Sequence, residues 1–284
     1  GLAHAQEGSI VAWGWNLQGQ CDVPEPNADF VAVAAGYEHS VGLKRNGSIV
    51  VWGSHDDVPG PNEDFVAIAA RELHSLGLKS DGSVVTWGWP TGLPEPNEDF
   101  VAISAGGSHD LAMKSNGSIV AWGSNSQGEC DVPEPNEDFV AASAGWEFSL
   151  GLKRDGSIVA WGHTYGELPE PNSDYIAVAS GYDHSLLLKR GGSLVLWPMF
   201  LGDPGVPEPN DDFVAMAVGF YSYRGVKGEP CPADLTDNGL VSAEDLVQIL
   251  ITWGPCPGCP EDLTGDDAVD SDDLFQLLGA WGPC

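Results

Sequence analysis

Basic residues are scarce in this chain: 11 Lys and Arg stand against 42 Asp and Glu, which leaves a formal net charge of -31. A field of that sign repels nucleic acid and anionic lipid and favours cations and basic partners. Long apolar runs are missing too, so no segment is expected to insert in a membrane as a helix. No pair of acids stands apart from a repeated background, which weighs against glycosidic chemistry. The shortage of positive charge is most acute from Glu229 to Cys284, where 12 of the 42 acids lie and no Lys or Arg is found, leaving 30 acids and all 11 basic residues before them. A segment that holds metal cations has this balance; so does a solvated acidic tail.

What is abundant is repetition. A segment G-S-[I/V/L]-V-x-W begins at Gly8, Gly47, Gly82, Gly117, Gly156 and Gly192, at spacings of 39, 35, 35, 39 and 36 residues. A period of this length means one supersecondary unit copied around a ring or along a rod. With 37 Gly and 21 Pro, the units read as short strands joined by turns. Between successive copies lie two further strand-like runs, typified by residues 29–35 and 39–44, in which large apolar and small residues alternate. Asn46-Gly47, Asp81-Gly82, Asn116-Gly117 and Asp155-Gly156 supply the positive φ that a tight turn between the second and third strands requires.

Each unit is therefore expected to be a three-stranded antiparallel meander, stacked face to face with its neighbours as a blade. The chain opens with one lone third-type strand, Gly8 to Gly14, continues with five complete sets, and ends the pattern with two strands. That count predicts an all-β propeller of six three-stranded blades over residues 8–228, the first strand completing the last blade and removing an exposed edge. An open or seven-bladed arrangement with a missing part is the rival.

These repeats, A-A-G-x-x-H-S-x-x-L-K, then D/N-G-S-I-V-x-W-G, then N-x-x-G-Q-C-x-V-P, resemble the regulator of chromosome condensation repeats, in the short bacterial form with three strands per blade. The resemblance implies a β-propeller used for protein contacts. It also implies that His39, His74, His109 and His184, at one place in four units, are scaffold, a ring nitrogen bonding to a neighbouring turn. Equivalent positions in different blades are too far apart to share one metal ion. The tryptophans of the repeat (Trp13, Trp52, Trp87, Trp122, Trp161 and Trp197) are expected to fill the seams between blades.

Variation between copies is more informative for function. The loops after A-A-G carry Tyr37, Trp146 and Tyr182 next to carboxylates and, in the last copy, Phe220 and Tyr221, and Trp15 and Trp89 follow the W-G at the same end of the blades. Aromatic residues among polar ones are typical of binding surfaces, here for a protein or a glycan; the competing reading packs the rings over the blade ends. Arg71 replaces Gly in the second copy. Cys21 and Cys130 occupy matching segments three units apart, on opposite sides of a six-bladed ring, and are expected as free, buried thiols.

From Cys231 the pattern changes to loop and helix. C-P-A-D-L-T-D-N-G at Cys231 and C-P-E-D-L-T-G-D-D at Cys259 lie 28 residues apart, each followed by an i, i+3, i+4, i+7 apolar stripe ending in Trp253 or Trp281. Upstream of each stripe is a twelve-residue loop with oxygen donors at the spacing calcium prefers. In the first, Asp234, Thr236, Asn238, the carbonyl of Leu240, Ser242 and Asp245 occupy positions 1, 3, 5, 7, 9 and 12; in the second, Asp262, Thr264, Asp266, the carbonyl of Ala268, Asp270 and Asp273. Helix capping by Ser242 and Asp270 would not need acids at both ends of both loops.

This pair of loop-helix units resembles the dockerin domain and related EF-hand-like modules, which implies a small α-helical domain over residues 229–284, two Ca2+ ions, and a cohesin-like protein partner or a second copy of the chain. Thr236 and Thr264 stand where Asn or Asp is usual, and Asp267 where Gly makes the turn, so the second loop is expected to bind more weakly. Of the three pairings open to four cysteines, antiparallel helices would favour Cys231 with Cys284 and Cys256 with Cys259.

Ala3-His4-Ala5, within residues 1–7, looks like the end of a secretory leader, and the tail cysteines suit an oxidising compartment. The expectation is a secreted bacterial protein, extracellular or on the cell surface, noncatalytic, with a binding propeller and a calcium-dependent attachment module. A self-assembling fibre subunit is the alternative, and a dockerin-bearing carbohydrate-active enzyme a weaker one.

Overall fold

The computed structural model describes residues 9–227 except 13, 55–57, 59, 90–91, 165, 199–204, 207, 209, 212 and 219–222, and beyond them the pairs 240–241, 254–255, 268–269 and 282–283. Five three-stranded antiparallel sheets follow one another along the chain: β1 (Phe30–Ala35), β2 (His39–Lys44) and β3 (Ile49–Gly53); β4 (Phe65–Arg71), β5 (His74–Lys79) and β6 (Val84–Gly88); β7 (Phe100–Ala105), β8 (His109–Lys114) and β9 (Ile119–Gly123); β10 (Phe139–Ala144), β11 (Phe148–Lys153) and β12 (Ile158–Gly162); β13 (Tyr175–Ser180), β14 (Ser185–Lys189) and β15 (Leu194–Trp197). A sixth sheet has two strands, β16 (Phe213–Val218) and β17 (Tyr223–Lys227). The expected propeller-like stack of three-stranded sheets is therefore present, each G-S-I-V-x-W segment after the first forming a third strand.

The turns explain why the chain reverses where it does. Gly117 takes φ +80° and closes the turn by donating its N–H to the Lys114 carbonyl (2.9 Å). At the other entrance to each of the first five blades, the Asp before the aromatic adopts the left-handed conformation (Asp138, φ 61°), and the Asp138 carbonyl accepts the Arg154 N–H at 2.9 Å. Asp tolerates this region better than most residues because its short polar side chain bonds locally.

The core is divided among the seams between blades. One apolar cluster joins the first and second sheets through Val41, Leu43, Phe65 and Trp87, and the next joins the second and third through Leu76, Leu78, Phe100 and Trp122. Trp161 and Trp197 take the same part in the two clusters that follow. Burying such an indole stabilises by roughly 3 kcal/mol.

Within a blade, the first aromatic lies flat where the middle strand has glycine. A Cβ on Gly151 would stand 2.3 Å from the Phe139 ring. That close approach lets the Lys153 ammonium sit 3.7 Å from the ring centroid, and Lys44 sit 3.6 Å from Phe30 above Gly42. Where Ala112 and Leu187 replace glycine, the lysine stands farther off, at 5.3 Å from Phe100 and 5.0 Å from Tyr175.

An asparagine clamp locks each third strand to the loop entering the next blade. Ile119 N–H donates to Asn136 Oδ1 (2.7 Å) while Asn136 Nδ2 donates to the Ile119 carbonyl (2.8 Å). The amide imitates one residue of a partner strand. Asn62, Asn97, Asn172 and Asn210 repeat the arrangement. Two hydrogen bonds worth about 1 kcal/mol each set the expectation that Asn136→Ala lowers stability by about 2 kcal/mol in chemical denaturation. Asn136→Asp, which keeps only the acceptor, should lose at least half of that.

The N-terminal segment departs from expectation. Residues 9–12 form no strand, and β17 has no third strand beside it among the described residues. Yet Asn27 grips Ile10 through the same two bonds, both 2.8 Å. The segment thus meets the first blade as a third strand would, without the middle strand that would complete it. The first blade's face is correspondingly uncovered: Val33 is 56 % exposed, whereas Ile68, Ile103 and Val178 at the same strand position pack against the preceding blade.

In the tail, β18 (Leu240–Val241) pairs with β21 (Gly282–Pro283), and β19 (Gly254–Pro255) with β20 (Ala268–Val269), both antiparallel. The expected helices, the four tail cysteines and all the calcium donors except Leu240 and Ala268 lie outside the described residues.

Candidate functional site

Every first strand runs toward one end of its blade, the middle strand runs back, and the third returns. The loops after A-A-G and the ends of the third strands therefore share one face. Backbone bonds tie these loops from blade to blade: Tyr37 N–H donates to Glu72 O (2.9 Å), Gly107 to Gly145 O (2.9 Å) and Trp146 to Tyr182 O (3.3 Å).

The expected binding residues gather on this face as pairs. Trp15 meets Tyr37 with ring centroids 5.5 Å apart, and Trp146 of the fourth blade meets Tyr182 of the fifth at 4.7 Å. Trp15 and Tyr37 are each 50 % exposed and Trp89 is 70 % exposed. Trp89 is fixed by its N–H, which donates to Leu73 O at 2.9 Å. Phe220 and Tyr221 lie outside the described residues. Two of the carboxylates beside the rings make only long contacts, Glu147 Oε2 3.4 Å from His163 Nδ1 and Glu38 Oε2 3.4 Å from the Ser54 hydroxyl, while Asp183 Oδ1 is hydrogen-bonded to His184 Nδ1 at 2.9 Å.

Behind the face lies a layer of buried polar groups. His39 Nε2 meets Ser75 Oγ at 2.7 Å, His74 Nε2 meets Asp110 Oδ1 at 2.9 Å, and His109 Nε2 meets Ser149 Oγ at 2.8 Å. Each bond crosses to the middle strand of the next blade. For these three histidines the partner is a strand residue and not the turn expected, whereas His184 Nδ1 stands 2.9 Å from Asp183 of its own loop. Ser149 gives its one proton to Glu129 O (3.0 Å), so it accepts from Nε2–H of His109, whose Nδ1 is buried without a partner. Burial lowers the His109 pKa to about 4, against the smaller opposing influence of Asp110 and Glu129.

At the centre, Arg71 leaves the end of β4 and crosses to the fourth and fifth blades, its Nη1 donating to Ser180 O (2.9 Å) and Ala144 O (3.4 Å). Burial lowers its pKa and raises that of neighbouring Glu72, each partly opposed by the other's charge. The sequence showed Arg71 only as a missing glycine. Its reach, and the pairing of Trp146 with Tyr182, depend on which loops become neighbours. The signal for the second was the recurrence of an aromatic at the first loop position in successive copies.

Cys21 and Cys130 are free as expected but half-buried. Burial first, then the charges of Glu129 and Asp131, push the Cys130 thiol up to about 11, which suits a packing role. Among the described residues no three His, Cys, Asp or Glu side chains converge to hold a metal ion.

These features define an all-β, propeller-like repeat protein whose loop face is rich in aromatics. Two stretches, residues 30–57 and 100–129, match the family model described as Regulator of chromosome condensation (RCC1) repeat. Among solved structures, the fold is similar to the CRINKLY WD40 ectodomain of the Arabidopsis thaliana receptor kinase ACR4 (23 % identity, TM-score 0.59, covering 70 % of this chain and 76 % of that one). It is also similar to the entire ectodomain of the Physcomitrella patens receptor kinase CR4 (20 %, 0.68, 80 % and 66 %). A third likeness is to the structure of Kap60 bound to yeast RCC1, Prp20 (19 %, 0.56, 72 % and 69 %). No curated protein matches the chain.

Proposed function

We infer that this is a secreted, noncatalytic binding protein whose propeller presents the aromatic loop face to a protein partner and whose tail attaches it elsewhere through calcium. The observation that carries the reading is the gathering of Trp15, Tyr37, Trp89, Trp146 and Tyr182 on one face, with three of the five rings at least half exposed. Rings that served only to seal blade ends would be covered. Neighbours of this fold include receptor ectodomains and a protein captured with a protein partner, which agrees with the reading.

For the attachment module, support comes from exchange of partners between the two 28-residue copies. Leu240 and Ala268, the seventh residues of the two loops, each pair with the end of the other copy, at Pro283 and Pro255. A pseudo-symmetric pair of calcium loops has this reciprocity. Asp234, Asn238 and Asp245 would hold one ion with Thr236, Ser242 and the Leu240 carbonyl, and Asp262, Asp266 and Asp273 the other with Thr264, Asp270 and the Ala268 carbonyl. The partner there is cohesin-like or a second copy, and Cys231 with Cys284 and Cys256 with Cys259 would staple the module.

Calorimetric titration of the full chain with Ca2+ should show two binding events, the second weaker, and capture of the attachment partner from secreted material should disappear with chelator. Absence of any calcium heat would sink the attachment reading. The uncovered first-blade face favours a second reading, head-to-tail growth into an extracellular fibre. Sedimentation showing only monomers at high protein concentration with calcium would dismiss it.

A further inference from the structure

We propose that the loop face recognises a cationic polypeptide segment, with Lys or Arg side chains seated on the aromatic pairs and held by the carboxylates that follow the rings. The proposal rests on the binding-face reading and names the chemistry of its partner. Its first ground is a recurring dipeptide. Tyr37-Glu38, Trp146-Glu147 and Tyr182-Asp183 each place a carboxylate immediately after a ring on the same loop, and the rings pair across blade boundaries. A cation approaching such a pair gains ring-face attraction and a charged hydrogen bond together.

The second ground is segregation of charge along the blade axis. The lysines that end the middle strands (Lys44, Lys79, Lys114, Lys153 and Lys189), and the arginines that follow three of them, all lie at the opposite end. Several of those lysines are already bonded to loop carbonyls there, Lys79 to Pro61 and Glu63 for example. Among the described loops of the aromatic face the one Lys or Arg is Arg71, turned inward onto Ala144 and Ser180, and the one exposed imidazole is His163, 3.4 Å from Glu147. A basic partner therefore meets carboxylates here without a competing ammonium. Glu147 and Asp183 keep 34 % and 35 % of their side-chain surface, enough to reach a ligand, while the half-buried rings between them supply apolar contact.

The test separates a local site from the attraction any acidic protein has for a polycation. A labelled twelve-residue peptide of alternating Arg and Ser is titrated into the full chain at physiological salt and read by anisotropy. Binding is expected, weakened about tenfold by Trp146→Ala and by Glu147→Gln with Asp183→Asn, and within about twofold of native for Glu63→Gln with Glu98→Gln at the opposite end. Near-ultraviolet circular dichroism checks that each variant is folded. No binding, or equal weakening by the two double variants, would overturn the proposal. A neutral oligosaccharide bound in the peptide's place, and lost in Trp146→Ala, would also overturn it while leaving the binding face standing. If a partner captured from secreted material is indifferent to Trp89→Ala and Trp146→Ala, the face reading itself falls.

Discussion

As pH falls from 6.5 to 4, His109 alone should remove about 3 kcal/mol from the stability of the propeller. The unfolded chain takes up this proton near pH 6.5, but the buried ring resists it until about 4. Stability from this group is complete above 6.5 and is lost downward through that window, because within it the unfolded state binds the proton and the folded state does not. At about 1.4 kcal/mol for each pH unit, the difference gives the figure quoted. The geometry explains the resistance: Nε2–H already donates to Ser149, so the added proton would go to Nδ1, which has no acceptor. Phe148 holds the equivalent place in the fourth blade and supplies a ready control. In His109→Phe, Ser149 keeps its bond to Glu129, and the difference between denaturation midpoints at pH 7.5 and 4.5 should shrink by the equivalent of about 2.5 kcal/mol. An unchanged difference would assign the acid sensitivity elsewhere.

Replacing Arg71 by Met should cost about 2 kcal/mol and lower the melting temperature by roughly 4–8 °C. Two terms compete. Loss of the guanidinium relieves a buried charge, whose cost is visible in its lowered pKa. Against this, the carbonyls of Ser180 and Ala144 lose a charged donor that methionine cannot replace, and charged hydrogen bonds are worth about 1.5–3 kcal/mol each. The second term should win because the arginine spans three blades that otherwise meet only their neighbours. Arg71→Gly restores the residue found at Gly36, Gly106 and Gly145 and should cost more, since it also loosens the unfolded chain. Thermal unfolding of both variants at pH 7.5, with native stability in either, would show that desolvation cancels the bonds.

The blades were readable from the sequence because their causes are local. Asn-Gly and Asp-Gly turns, alternation of large and small residues, and one tryptophan per copy act within a few positions of one another. The histidine acceptors were not readable, since Ser75 and Ser149 come from the following unit and lie 36 and 40 residues away. The asparagine clamp was hidden for a different reason: Asn136 sits in a Pro- and Glu-rich loop that reads as a solvated connection, and only its side chain behaves as strand. At the face, composition identified Trp15, Tyr37, Trp89, Trp146 and Tyr182, but their pairing required knowledge of which loops adjoin. The expected closing strand was half legible: Ile10 has the right neighbour in Asn27, yet residues 9–12 pair with nothing that would make them a strand.

Because each apolar cluster is shared by two successive blades, no blade owns a core, and neither half of a seam can be lost without stripping the other. The protein therefore behaves as a zipper. Interior blades are held from both sides, while the first, with Val33 open to water, is held from one. Melting of such an array begins at its open end and travels inward, and whatever occupies that end sets how much of the array stays upright.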